Sequence, residues 1–221
     1  MDKTGLWAVL PIKNMGKAKQ RLDGCLSGPE REALFAAMIE DVLAALSASR
    51  LLAGILVVTR DPKAERLAAD YGARVLIEEK NAGHTVASSF GASTLTQEGI
   101  QGMLQIPGDL PLLSAEDIDV LIQAHGEAPA VTIAPSRDKL GSNAVACSPP
   151  DFLPLRFGDN SFFPHLQQSR NLGVEPRIIE RRGLALDVDT PDDLKAFLVS
   201  PSKTRAYRYL VECGLAQRFA R

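Results

Sequence analysis

Short apolar runs along the chain alternate with longer stretches in which apolar residues recur at helical spacing. Trp7 to Ile12 predicts a strand. From Pro29 to Ser47, Leu34, Met38, Val42 and Leu46 fall on one stripe of a helix, with Ser27 or Gly28 ahead of Pro29 as its start signal. Gly54 to Thr59 predicts a buried strand. Asp61-Pro62 opens a helix to about Tyr71 that Gly72 closes, and Ala73 to Ile77 predicts the next strand. A helix over Thr85 to Thr96 and a strand over Met103 to Ile106 complete a regular alternation. That order predicts an α/β fold with a mainly parallel, doubly wound sheet and ligands at the carboxyl ends of its strands.

The pattern changes beyond the helix predicted for Ser114 to Ala124. Ala130 to Ala134 and Asn143 to Cys147 read as two strands joined by the polar loop Pro135 to Ser142, a small antiparallel excursion over the site. Helix is predicted for Ser161 to Arg170, extended chain for Val174 to Glu180 and Leu184 to Val188, and helix again for Pro191 to Val199 and Lys203 to Ala216. There is no internal repeat, and Ser200-Pro201-Ser202 is the one linker-like stretch, so residues 1–221 read as a single domain.

Composition narrows the class. With 45% apolar residues, 24% charged residues and a formal net charge of −2, the 221-residue chain lacks the global basic field of a nucleic-acid binder. No run approaches the roughly 20 apolar residues of a membrane span, and Met1 to Gly5 carries no secretory signal. Cys25, Cys147 and Cys213 are odd in number and widely spaced, which reads as reduced thiols in a cytoplasmic protein. Oligomeric state is not legible.

Candidate chemistry concentrates where apolar runs end. In Leu184-Ala185-Leu186-Asp187-Val188-Asp189-Thr190-Pro191, alternation projects Asp187 and Asp189 to one side. Asp109 stands at a similar break in Pro107-Gly108-Asp109. Three hard oxygen donors suit magnesium held together with substrate phosphates. Asp189 could instead cap the helix begun by Pro191, and a Pro-Gly-Asp sequence could be a plain turn. Lys13, Lys17, Lys19 and Arg21 directly follow the first strand and suit phosphates, or form a solvated basic face. Neither G-x-x-x-x-G-K-[ST] nor G-x-G-x-x-G occurs, which disfavours a P-loop and a dinucleotide fold.

The loop Pro11-Ile12-Lys13-Asn14-Met15-Gly16-Lys17-Ala18-Lys19-Gln20-Arg21-Leu22 resembles the P-x-K-x-x-x-x-A-K-x-R-L opening of guanylyltransferases that supply a precursor of the deazaflavin coenzyme. Pro107-Gly108-Asp109-Leu110-Pro111-Leu112, Gly141-Ser142-Asn143-Ala144, Phe157-Gly158-x-x-Ser161-Phe162 and Leu184 to Asp193 follow in the family's order. The resemblance implies a fold related to the molybdopterin and nucleotide-diphospho-sugar nucleotidyltransferases. It implies transfer of a guanylyl group from GTP to a small phosphorylated acid with release of pyrophosphate, and no role for a catalytic histidine or cysteine.

By the same resemblance Asp109, Asp187 and Asp189 would hold two magnesium ions. Lys13, Lys17, Lys19 and Arg21 would serve the triphosphate and leaving group, with Lys13 and Lys19 among the catalytic residues. Gly83, Pro107 and Gly108 would border the nucleotide, and Ser142, Gly158 and Ser161 would contact the acceptor. The family often has threonine at the position of Ser142. The Asn81-Ala82-Gly83-His84-Thr85-Val86 segment departs from a leucine-asparagine-alanine pattern and is nearer to bacterial members, which orders the acceptors as 3-phospho-D-glycerate, then phosphoenolpyruvate or 2-phospho-L-lactate. The alternatives are transfer to a sugar phosphate or a molybdenum cofactor on the same fold, and a nucleotide-binding module without turnover.

Overall fold

The computed structural model describes residues 2–80, 82–158 and 160–219; Asn81, at the head of the segment just discussed, lies outside them. Among these residues the strands are β1 (Leu6–Pro11), β2 (Gly54–Thr59), β3 (Arg74–Ile77), β4 (Gly102–Gln105), β5 (Ala130–Pro135), β6 (Ser142–Ser148) and β7 (Arg177–Ile178). They form one sheet in the order β3-β2-β1-β4-β6-β5-β7. β1 runs parallel to β2 and β4, β2 to β3, and β5 to β7, whereas β6 is antiparallel to β4 and β5. The expected antiparallel pair is therefore part of the main sheet, and the 136–141 loop joining it reaches the site.

The helices are α1 (Gly28–Ala48), α2 (Pro62–Asp70), α3 (His84–Gln97), α4 (Ala115–Ala124), α5 (Phe162–Asn171), α6 (Arg182–Ala185), α7 (Pro191–Leu198), α8 (Arg205–Glu212) and α9 (Ala216–Phe219). Alternation along β1 sorts its side chains between two cores. Leu6, Ala8 and Leu10 pack with Leu34, Met38, Val42 and Leu46 of α1 and with Phe197 and Leu210, while Trp7 and Val9 pack with Ala87 and Leu95 of α3 and Phe162 and Leu166 of α5. Both faces of the sheet are thus covered, as a largely parallel sheet requires. Burying each large side chain of the α1 stripe contributes about 1.5–3 kcal/mol, so the stripe more than propensity holds that helix. Among the described residues no helix is long and apolar enough to cross a membrane.

Local signals set several boundaries. Ser27 is the N-cap of α1, its hydroxyl accepting from Glu30 N while the Glu30 carboxylate accepts from Ser27 N at 2.7 Å. Asp61 caps α2 through Lys63 N and with its other oxygen accepts from Met15 N at 2.7 Å, tying the basic loop to the sheet edge.

Three expectations are corrected. Leu184 to Val188 is not extended at its start, which α6 occupies, and the carbonyls of Leu184 and Ala185 accept from the Asn143 side chain. That amide, with Arg137 N on Ala185 O, satisfies those two carbonyls without a strand partner. Of Val174 to Glu180, β7 forms the strand, with Ile179 N continuing to Ile133 O at 3.0 Å, while Val174 N bonds back to Ser169 O at the end of α5. The helix expected over Lys203 to Ala216 ends at Glu212, where Gly214 at φ +66° breaks it before α9.

Candidate active site

Because β1 lies between β2 and β4 and the chain reverses direction of travel there, a crevice opens beyond the carboxyl ends of these strands. β6, antiparallel to β4 with Gln105 opposite Val145, starts at this same edge, so Ser142 and Asn143 lie beside the turn that carries Asp109. The crevice encloses a cavity of about 1130 Å³, and every site residue expected from the sequence lines it: Lys13, Lys17, Lys19, Arg21, Gly83, Pro107, Gly108, Asp109, Ser142, Gly158, Ser161, Asp187 and Asp189.

The basic loop is pinned by its apolar members. Met15 and Leu22 are buried, each next to a short 3-10 turn, while Lys13, Lys17 and Arg21 remain exposed at the cavity. Lys19 differs from the other three. It adopts a left-handed conformation at φ 56°, and its side chain is only 4% exposed. Its ammonium donates to Asp109 Oδ2 at 2.6 Å and to Asp189 Oδ1 at 2.5 Å. Lys19 thus forms an ion triad with Asp109 and Asp189.

That triad sets the charges. Burial alone would lower the Lys19 pKa, but Asp109 and Asp189 outweigh it and hold it above the ordinary lysine value. Asp109 is pushed up by burial, partly offset by Lys19. Burial also opposes ionisation of Asp189, yet Lys19, with Arg21 and Lys13 further off, keeps that carboxyl below its usual value. Among the described residues no cation is bonded to Asp187. Burial and then the neighbouring Asp109 raise it to about 6, against one stabilising bond from Asn143 Nδ2 at 3.1 Å.

The two acidic segments are joined directly, since Val188 N donates to Asp109 O at 3.1 Å. Asp189 is not the cap of α7. Thr190 takes that role in a reciprocal box with Asp193, which leaves the Asp189 carboxylate to Lys19 and the cavity. As they stand, no group of three His, Cys, Asp or Glu among the described residues is gathered to hold an ion. The chemistry of the set still fits a hard divalent cation. Three carboxylates line one cavity, and among the described residues Asp109 Oδ1 is buried with no hydrogen-bond partner.

At the other side chains, glycine is required by conformation. Gly83 and Gly158 have φ of +104° and +136°, and a Cβ on either would meet nothing within 4 Å, so strain rather than crowding excludes other residues. Ser161 precedes α5 without capping it; its hydroxyl accepts from Ser142 N at 2.9 Å. Ser142 Oγ in turn lies 2.9 Å from His165 Nδ1.

Sequence reasoning gave no site role to His84, Asn143 or His165. His84 opens α3 in the cavity, 2.9 Å from Gln105 Nε2, and burial, with Lys13 adding to it, lowers its pKa to about 4. Asn143 holds the Asp187 segment through the bonds described above. His165 stands four residues after Ser161 on α5, a spacing that puts the two on one helix face and could have flagged it.

The chain resembles known proteins along most of its length. Over 188 residues the chain is 35% identical to a phosphoenolpyruvate guanylyltransferase of Sphaerobacter thermophilus, covering 85% of this chain and 90% of that one. It is 33% identical over 195 residues to a 3-phospho-D-glycerate guanylyltransferase of Colwellia psychrerythraea, covering 87% and 92%. A 2-phospho-L-lactate guanylyltransferase of Methanothermobacter thermautotrophicus is 32% identical over 207 residues, covering 92% and 88%. A crystal structure from Desulfovibrio desulfuricans G20, described as a nucleotide-diphospho-sugar transferase, superposes with a TM-score of 0.79 over 99% of both chains at 18% identity, a likeness of fold alone. Residues 6–221 match the family described as "Guanylyl transferase CofC like", and with these relatives they show that the chain belongs to that family.

Proposed function

We propose that the protein is a magnesium-dependent guanylyltransferase that joins GMP from GTP to a three-carbon phosphorylated carboxylic acid and releases pyrophosphate. The observation that carries this reading is the sharing of one cavity by three carboxylates, the basic loop and the Ser142–Ser161 pair. In the reaction an oxygen of the acceptor's phosphate attacks the α-phosphorus of GTP, and the bond from that phosphorus to the oxygen leading to the β-phosphate breaks. The acceptor phosphate is already ionised at neutral pH, so no general base is needed. That agrees with a site whose histidines are held neutral by burial.

The obstacle is repulsion between anions. Lys13, Lys17 and Arg21 meet the triphosphate and the departing pyrophosphate, and Lys19 favours the ionised form of Asp189 and partly offsets the effect of burial on Asp109. Asp109, Asp187 and Asp189 would hold the metal, which when bound offsets phosphate charge and polarises the α-phosphoryl group. Gly83 and the Pro107-Gly108 turn border the nucleotide, while Ser142, Gly158 and Ser161 receive the acceptor. Relatives named for phosphoenolpyruvate, 3-phospho-D-glycerate and 2-phospho-L-lactate support the acceptor as a class.

The test is a matrix of four nucleoside triphosphates against these three acids and a sugar phosphate, with magnesium, read by pyrophosphate release and product mass. GTP with one of the acids should give both pyrophosphate and the guanylylated acid. Turnover confined to a sugar phosphate, or nucleotide binding with no pyrophosphate from any acid, overturns the proposal.

A further inference from the structure

His165 is 1% exposed, and its two ring nitrogens face different partners. Nε2 accepts from the backbone N–H of Arg156 at 3.0 Å. A backbone N–H can only donate, so Nε2 carries a lone pair. Burial lowers the ring's pKa to about 4, so it is neutral at physiological pH and its single proton sits on Nδ1. The 2.9 Å contact with Ser142 Oγ is therefore a bond donated by His165 and accepted by the hydroxyl.

The consequence passes to the cavity. Ser142 Oγ, already accepting from the imidazole, has its own proton to give, and among the described residues that proton has no acceptor. Ser161 is in the same position one step on, because its Oγ accepts from Ser142 N–H. Both hydroxyls are thus polarised as donors, and both line the cavity. Phe157, edge-on to the His165 ring at 5.3 Å, and the burial of α5 fix the ring's place.

We infer that His165 is a positioning residue of the acceptor subsite: it locks the Ser142 hydroxyl as a donor, so that Ser142 and Ser161 together present two O–H groups to one anionic group of the acceptor. The inference rests on the assignment of these serines to the acceptor in the proposed function. It adds the residue that sets their polarity and the reason an anion, rather than a donor group, is accepted there.

Two isosteric substitutions separate this role from packing. Asparagine places an amide N–H near Nδ1 and keeps the bond to Ser142, whereas glutamine reaches the Nε2 position and keeps only the bond from Arg156. Steady-state kinetics with phosphoenolpyruvate and with 3-phospho-D-glycerate should show His165→Gln raising the acceptor KM roughly tenfold, the scale of one hydrogen bond to an anion, with the GTP KM within about twofold. His165→Asn should stay near the parent, and His165→Gln should add little in a Ser142→Ala background. Equal effects of Asn and Gln, or KM increases for both substrates, overturn the inference. Nitrogen NMR of histidine-labelled protein reads the tautomer without any need for turnover or a variant: an Nδ1–H neutral ring supports the inference, and an Nε2–H or doubly protonated ring overturns it. An Nδ1–H ring together with an acceptor KM unmoved by Ser142→Ala would overturn the acceptor assignment itself.

Discussion

Lys19 donates to Asp109 Oδ2 at 2.6 Å, while the other oxygen of that carboxylate, Oδ1, is buried without a hydrogen-bond partner. One half of Asp109 is thus neutralised by the protein, and the other half is buried without a partner among the described residues, in a residue that lines the cavity. A buried unpartnered acceptor costs about 1–3 kcal/mol, and an occupying cation would recover it.

Asp109→Asn, Asp187→Asn and Asp189→Asn should each lower turnover by roughly 100-fold or more with the fold intact, since each weakens a donor at almost constant volume. Activity titrated with magnesium and circular dichroism of each variant check this. Near-normal turnover of any two at saturating magnesium would remove the metal role.

Replacing Lys19 by Met leaves two carboxylates facing each other without their cation. Metal-free protein should lose about 3 kcal/mol of stability at pH 7, less than for a fully enclosed pair because the Asp189 side chain is 42% exposed. Magnesium should return part of that loss. Urea unfolding with and without the metal measures both effects, and an unchanged midpoint contradicts the triad.

The two neighbours at the start of α7 separate by readout. Thr190→Ala removes the cap and should cost about 1 kcal/mol of stability. Asp189→Ala should remove activity, and any stability it loses should come from the Lys19 ion pair and not from α7, because its carboxylate accepts no bond from the helix's free amides. Thermal melts beside turnover rates decide it; the reverse pattern would make Asp189 a structural residue.

Lys13→Ala should weaken GTP binding roughly tenfold with a smaller effect on GMP, as a contact to the distal phosphates implies. Its stability change should stay within about 0.5 kcal/mol because the side chain is exposed. Calorimetric titration with both nucleotides tests this, and equal weakening points to the base or ribose.

His125 provides a pH test outside the site. Its ring lies between Thr132 Oγ1 and Ser148 Oγ, and burial, with Arg177 adding to it, lowers its pKa to about 4. A folded value below the unfolded one means that the unfolded chain binds more protons between about 6.5 and 4. The stabilisation is fully present above that window and is lost as pH falls through it. His125→Gln should flatten the decline in urea midpoint between pH 7.5 and 4.5 relative to the parent. Parallel declines would refute the buried neutral ring.

What the chain determines by itself is whatever local interactions decide. The period-2 alternation of β1, the α1 stripe, the Ser27 cap and the Asp61-Pro62 start act within a few residues, and they place the strand ends at which the cavity forms. The ordered motifs likewise pointed to residues that the fold gathers around that cavity. Contacts between distant segments decided the rest. Lys19 reads as one of four similar cations, and its difference arises only because residues 90 and 170 positions away bring carboxylates to its ammonium. Leu184 to Val188 reads as extended chain, yet Asn143, from β6, supplies the partner that lets its start coil into α6. The proton on His165 is fixed by Arg156 N on one side and Ser142 on the other. Charge state, hydrogen-bond direction and strand partnership depend on desolvation and on neighbours across the fold, and tertiary packing alone supplies both.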